Sequence, residues 1–155
     1  MYKKILVPLD GSELAECVLP HVEAIAAGCG TAGVVFFRAV EPFVMASGYY
    51  TAEISGEEIQ RINADNKSSA EKYLKKLVER TKYPNAKVQS VIVTGKAAET
   101  ITDYAKKNAV DLIAIATHGR SGVSRWVWGS VADRVLRSSC VPVLMIRAPG
   151  CEPGI

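Results

Sequence analysis

Residues 111–122 read DLIAIATHGRSG, and Gly129-Ser130 follow six residues further along the chain. The first half of this stretch is almost continuously apolar, which is typical of a strand covered on both faces by helices. Residues 130–138 have helical spacing, and we expect Ala132, Val135 and Leu136 on one buried side. Glycines at such a junction let the backbone approach a bulky anion, and the helix N-terminus attracts its charge. The stretch therefore predicts a phosphate site, with a nucleotide as the leading candidate ligand.

The composition is that of one ordinary globular domain. A chain of 155 residues with 48% hydrophobic residues can bury enough surface to fold without a metal or a disulfide. Its formal charge of +3 is dispersed, which argues against a nucleic-acid partner. The four cysteines form no C-x-x-C pair, and no uncharged apolar run reaches the roughly 18 residues that a membrane span requires. We expect a cytoplasmic protein with free thiols, no bound metal and no membrane segment.

Strand-like and helical segments alternate along the chain. The predicted strands cover residues 4–9, 32–40, 86–93, 111–116 and 141–146. The predicted helices cover residues 12–26, 53–83, 97–108 and 130–138, the first one capped by Ser12 and kinked at Pro20. This alternation predicts an α/β fold: an open parallel five-stranded sheet of order 3-2-1-4-5 with helices on both faces. We expect a single domain at residues 1–148 and a flexible C-terminal tail at residues 149–155.

Ligands of such sheets bind beyond the carboxyl ends of the strands, where the strand order reverses. If strands 1 and 4 flank that point, Asp10 at the end of strand 1 faces the loop that contains Gly119. This pairing of an acidic side chain with a glycine loop places the predicted site above strands 1 and 4.

The last strand has the properties of a sheet edge. Pro142 cannot donate a ladder hydrogen bond, so we place strand 5 at the edge. An apolar edge strand invites pairing with another chain. We therefore predict a homodimer that forms through Val141, Val143 and Met145.

Two other glycine motifs are false matches. Residues 28–33 read GCGTAG, but a predicted helix precedes them and a strand follows, the reverse of a dinucleotide-binding turn. Residues 94–96, TGK, resemble the end of a P-loop, yet Ser90 and Ala97 stand where that loop requires glycine and a hydroxyl. We predict a helix stop at residues 28–33 and no P-loop.

Spacing alone leaves two interpretations of the loop before residue 130 open. One is a phosphate loop. The other is a plain connection, because Ser130-Val-Ala-Asp133 has the pattern of a capping box, in which Ser130 serves only its own helix.

Four segments together resemble the universal stress protein family. They are KKILVPLDGS at residues 3–12, THGRSG at 117–122, GSVADRVL at 129–136 and PVL at 142–144. The resemblance covers essentially the whole chain and implies a Rossmann-like fold of the adenine nucleotide alpha hydrolase type. ATP-binding members carry the signature G-x2-G-x9-G-[ST], which Gly119, Gly129 and Ser130 match, whereas Ala116 replaces the first glycine.

The resemblance also implies roles for individual residues. Asp10 would hold the ribose hydroxyls of ATP, and Pro8, Ala39 and Ile115 would line the adenine slot. The phosphates, with Mg²⁺, would be held by Gly119, Gly129, Ser130 and Val131. The remaining residues of the predicted site are Leu9, Ala116, His118, Arg120 and Gly122.

These expectations define two functions. The first is an ATP-binding universal stress protein that acts as a regulatory or protective dimer. The second is a nucleotide-free dimer that works as a protein-interaction module. The sequence contains no Walker lysine and no acidic pair around the loop, so we expect ATP hydrolysis to be slow at most.

Overall fold

Five strands form one parallel sheet in the computed structural model, which describes residues 1–44, 55–117 and 129–147. The strands are β1 (Lys4–Pro8), β2 (Gly33–Val40), β3 (Lys87–Thr94), β4 (Leu112–Ala116) and β5 (Val143–Ile146). Their order across the sheet is β3-β2-β1-β4-β5, and every neighbouring pair is parallel. The predicted fold class and strand order are confirmed.

Helices cover both faces of the sheet. They are α1 (Glu13–Glu16), α2 (Leu19–Cys29), α3 (Gly56–Arg80), α4 (Ala97–Lys107) and α5 (Ser130–Ser138). Helices α1 to α3 pack on one face, where Val7 and Phe36 meet Leu74, and α4 and α5 pack on the other, where Phe37 meets Ile101. Among the described residues, no helix combines the length and the apolarity needed to cross a membrane.

The first predicted helix is two helices. Ser12 caps α1 as expected, because its Oγ accepts a hydrogen bond from the Ala15 N–H at 3.1 Å. The helix ends at Glu16, and α2 starts with Pro20 in its first turn. Proline is tolerated there because the first N–H groups of a helix have no intrahelical acceptor. Pro20 therefore marks a helix start, and the prediction of a kink was wrong.

The C-terminal part of the sheet also differs from expectation in detail. β5 lies at the edge as predicted, but it begins at Val143, so Pro142 precedes the strand. The Pro142 carbonyl still accepts a hydrogen bond from the Ile113 N–H at 2.9 Å. On α5, Ala132 and Val135 are buried as predicted, whereas Leu136 is 47% exposed. The predicted tail at residues 149–155 lies outside the described residues.

Two helices end in the same backbone motif with different residues. After α2, Gly30 has φ +60° and the Thr31 N–H donates to Ala26 O at 3.1 Å. After α4, Ala109 has φ +51° and the Val110 N–H donates to Ala105 O at 3.2 Å. These are Schellman-type ends, in which the left-handed position favours glycine. The GCGTAG segment is thus a helix stop, as predicted.

Substitutions at the left-handed positions that end α2 and α4 should change stability in opposite directions. Ala109→Gly removes the left-handed strain of alanine and should raise the free energy of unfolding by about 0.5–1 kcal/mol. Gly30→Ala introduces that strain and should lower it by about 1 kcal/mol. Urea denaturation followed by circular dichroism measures both. A loss of stability in Ala109→Gly would contradict the assignment of the motif.

Candidate functional site

A cavity of about 260 Å³ opens at the carboxyl ends of β1, β2 and β4. The predicted site residues that line it are Pro8, Leu9, Asp10, Ala39, Ile115, Ala116, Gly129, Ser130 and Val131. His118, Gly119, Arg120 and Gly122 lie outside the described residues. Six residues line the cavity without having been predicted: Ala15, Phe37, Ala97, Ile101, Thr117 and Ala132.

The unpredicted residues make the walls of the cavity mostly apolar. Phe37 precedes Ala39 by two positions on β2, so strand alternation places both side chains on the same face of the sheet. Ala97 and Ile101 lie one turn apart on α4 and close the cavity from above that face. The sequence signal for Ile101 was its inward position on a helix, which also fits an ordinary core residue. An apolar slot with few polar groups is the usual environment of a flat ring.

The backbone of Ala39 is open toward the cavity. The Leu9 N–H donates to Phe37 O at 2.8 Å, so Phe37 directs its polar groups toward β1. The Gly95 N–H donates to Val40 O at 3.0 Å, so Val40 directs its polar groups toward β3. Because the backbone groups of successive residues alternate in direction, the N–H and C=O of Ala39 point to the side where β1 lies. β1 has already ended at this level, since its last pair with β2 is Pro8 with Phe37. Within the described ranges, no backbone group of β1 pairs with either of them.

The turn after β1 holds Asp10 in a fixed orientation. Asp10 Oδ1 accepts hydrogen bonds from the Ser12 N–H at 2.9 Å and from the Ser12 hydroxyl at 2.6 Å. Gly11 between them has φ +84°, and a methyl group there would collide with the Arg38 guanidinium. The backbone angle favours glycine at this position, whereas the guanidinium is the far end of a flexible side chain and can move away from a methyl group.

Helix α5 presents its N-terminus to the cavity. The Gly129 N–H donates to Thr117 O at 2.6 Å, which ties the start of the helix to the end of β4. The next N–H groups, of Ser130, Val131 and Ala132, have no acceptor within the helix by its geometry. All three residues line the cavity. This end of the cavity can bind an anion.

Comparisons with known proteins show the family of this chain. The model of the universal stress protein family matches residues 1–147. The chain belongs to the universal stress protein family. It is 32% identical over 153 residues to universal stress protein MJ0531 of Methanocaldococcus jannaschii, covering 98% of this chain and 86% of that protein.

Solved structures of the family share this fold. UspA from Lactobacillus plantarum is 25% identical and superposes with a TM-score of 0.75, covering 94% of this chain and 98% of that chain. A universal stress protein family member from Arabidopsis thaliana, solved with AMP bound, is 15% identical with a TM-score of 0.65. That likeness covers 96% of this chain and 93% of the other, and it concerns the fold alone.

Ala116 departs from the ATP-binding signature of the family without straining the backbone. It is the last residue of β4 and pairs with Ile146 of β5. Asn85 and Ala109 are the non-glycine residues with positive φ among those described, so Ala116 has an ordinary backbone. Its side chain belongs to the core on the α1–α3 face, while Ile115 faces α4 and α5. Ala116 also lines the cavity, so its methyl group forms part of the cavity wall on the side of α1–α3.

The capping-box interpretation of Ser130 is wrong. The N-cap of α5 is Gly129, and Ser130 is the first helical residue. Within the described part of the chain, no side chain caps this helix start. The Asp133 carboxylate instead accepts from Arg137 Nε at 2.9 and 3.1 Å. A serine at the first helical position points its hydroxyl away from the N–H groups it would have to cap.

A polar cluster supports the Asp10 turn from the opposite face of the sheet. The Arg38 guanidinium lies 5.6 Å from the centre of the Tyr73 ring, and the Tyr73 hydroxyl donates to Glu16 Oε1 at 3.0 Å. Glu16 also forms an ion pair with Arg80. Burial, and then the hydrogen bond to Glu16, raise the pKa of Tyr73 well above its usual value. The tyrosine therefore stays a hydrogen-bond donor at neutral pH.

The position of Ser130 predicts that its hydroxyl contributes little to stability. Ser130→Ala should change the free energy of unfolding by less than about 0.5 kcal/mol, because no cap is lost. Ser55→Ala is the matched control, since Ser55 Oγ accepts from the Glu58 N–H at 3.2 Å as the cap of α3. We expect it to cost about 1 kcal/mol in urea denaturation. Equal losses of unfolding free energy in the two variants would show that Ser130 does cap α5.

Proposed function

We propose that this universal stress protein binds ATP in the cavity, with the base against Ala39 and the phosphates at the start of α5. The observation that supports the proposal is a single apolar cavity that has hydrogen-bonding backbone groups of β2 at one end and of α5 at the other. An N–H and a C=O lie side by side at Ala39, and a row of N–H groups begins α5. An adenine nucleotide has the complementary pattern, because its base carries an acceptor beside a donor and its phosphates are anionic.

The Ala39 backbone fits adenine better than guanine. Adenine presents N1 as an acceptor next to the N–H of its 6-amino group, which match the N–H and C=O of Ala39. Guanine presents a donor at N1 and an acceptor at O6, so both contacts would be mismatched. Unpaired polar groups in such a slot cost roughly 1–3 kcal/mol each. Phe37, Ala97, Ile101 and Ile115 supply the apolar surface on which the ring would lie.

Asp10 and the start of α5 would hold the remainder of the nucleotide. The Asp10 carboxylate, oriented by Ser12, lies between the two ends of the cavity wall and would accept hydrogen bonds from the ribose hydroxyls. The N–H groups of Ser130, Val131 and Ala132 would donate to phosphate oxygens, helped by the helix dipole. Gly119 would complete the phosphate loop, as the family signature implies, and Mg²⁺ would accompany the triphosphate. A member of the family with the same fold, from Arabidopsis thaliana, was solved with AMP bound, which supports nucleotide binding as the function.

The cellular role we propose is that of a dimeric cytoplasmic factor in the stress response, in which ATP is a bound ligand. The apolar edge strand β5, with Val143 and Met145 partly buried against the core, is the proposed dimer interface. The alternative function, a nucleotide-free interaction module, uses the same edge. It is favoured by the exposed apolar side chains of Val131 and Leu136 on α5. Nucleotide binding distinguishes the two functions.

ATP should stabilise the protein measurably. At one hundred times its dissociation constant, ATP with Mg²⁺ should add about 2.7 kcal/mol to the free energy of unfolding and raise the melting temperature. Ala39→Leu fills the base slot and should abolish the shift, as should Gly129→Val at the phosphate end. Ala24→Leu, the same substitution at an exposed position of α2, is the control and should leave the shift intact.

Denaturing the freshly purified protein and analysing the released small molecules gives an independent readout, because a tight ligand co-purifies. No melting shift at millimolar ATP, together with no released adenine nucleotide, would favour the nucleotide-free module. A full shift in Ala39→Leu would show that the base binds elsewhere.

A further inference from the structure

The carboxylate of Glu41 lies against the first residue of α4. Glu41 follows β2, and its Oε1 accepts a hydrogen bond from the Ala97 N–H at 3.2 Å. Lys96 holds the N-cap position of α4, and within the described residues its side chain makes no capping bond. A negative charge from outside the helix therefore lies at this helix start, in addition to Glu99 in the first turn of α4. Ala97 itself lines the cavity, whereas Glu41 is exposed, so the carboxylate lies beside the cavity lining and not in it.

Glu41 directly follows the end of β2, two positions after Ala39. Phe37 and Ala39 line the cavity, and β2 ends at Val40. Its contact with Ala97 shows that its side chain indeed turns to the α4 face. The N–H and C=O of Ala39 therefore face the cavity, and a carboxylate follows two positions further along the chain, against Ala97.

The two helix starts at the cavity differ in charge. At α5 the N-cap is a glycine, and no side chain of the described residues caps it. At α4 the Glu41 carboxylate already occupies the position that an anion would take. A phosphate near α4 would be repelled by Glu41, whereas an amino group there would be attracted. The base end of a nucleotide therefore belongs at α4, and the phosphate end at α5.

We propose that Glu41 is a specificity-determining residue that selects a 6-aminopurine, an inference that rests on the proposed ATP binding. The 6-amino group has two N–H donors. The Ala39 carbonyl takes one of them and the Glu41 carboxylate takes the other. A base with oxygen at position 6 has no donor at that position, since its N–H is at N1, and it places its oxygen against the carboxylate. Such a base therefore loses the bond to Glu41 and gains a repulsion.

Inosine triphosphate tests this directly, because it replaces the 6-amino group with oxygen and keeps the same ribose and triphosphate. Calorimetry gives the dissociation constants of ATP and inosine triphosphate for the wild type, Glu41→Ala, Glu41→Gln and Glu99→Ala. Glu41→Ala should weaken ATP about five- to tenfold, the range of one hydrogen bond, and leave inosine triphosphate unchanged or tighter. Glu41→Gln keeps an oxygen acceptor and should fall between the wild type and Glu41→Ala.

Glu99→Ala is the matched control. Glu99 is an exposed carboxylate in the first turn of the same helix and lies near Lys96 at 4.0 Å, whereas Glu41 contacts Ala97 of the cavity lining. Its removal should leave the preference for ATP unchanged. The melting temperature of each variant without nucleotide shows separately how much stability is lost with the hydrogen bond from Ala97 to Glu41.

Each outcome decides between the claims. A purely structural Glu41 would weaken both nucleotides in parallel, and an unchanged preference in Glu41→Ala would overturn the specificity role while leaving ATP binding intact. If the wild type binds neither nucleotide, the proposed function fails and this inference fails with it.

Discussion

The structure of the site depends on one mismatch in strand length. β1 stops pairing with β2 after the hydrogen bond from Leu9 to Phe37, whereas β2 continues beside β3 as far as Val40. The chain leaves β1 through the Asp10 turn, in which Gly11 adopts φ +84°. A parallel sheet normally consumes every backbone N–H and C=O in its ladders. Here the early departure of β1 leaves the polar groups of Ala39 facing a cavity instead of a strand.

The remainder of the fold keeps that cavity open and shaped. The α1–α3 core fixes the Asp10 turn from one face, through Arg38, Tyr73 and Glu16. On the other face, α4 and α5 meet the sheet through Ile101, Ala132 and Val135. The hydrogen bond from Gly129 to Thr117 anchors α5 at the end of β4. The two helix starts then differ in charge, because Glu41 occupies one of them.

Much of this arrangement could be predicted from the sequence, because buried parallel strands have nearly continuous apolar sequences. The strand order and the convergence of Pro8, Asp10, Ala39 and Ile115 on one edge followed from that pattern and the family resemblance. What failed depended on tertiary context. Ser130 fits a capping box in letters, but Gly129 takes the cap because its N–H is held by Thr117. The role of Glu41 could not be read from the sequence, because its partner Ala97 is 56 positions away along the chain.

A crystal structure of the protein with ATP and Mg²⁺ tests the central claim most directly. The account predicts adenine N1 and the 6-amino group within hydrogen-bond distance of the Ala39 N–H and C=O. It also predicts the triphosphate against the N–H groups that begin α5. A triphosphate at the start of α4, or a nucleotide bound outside the cavity, would contradict it.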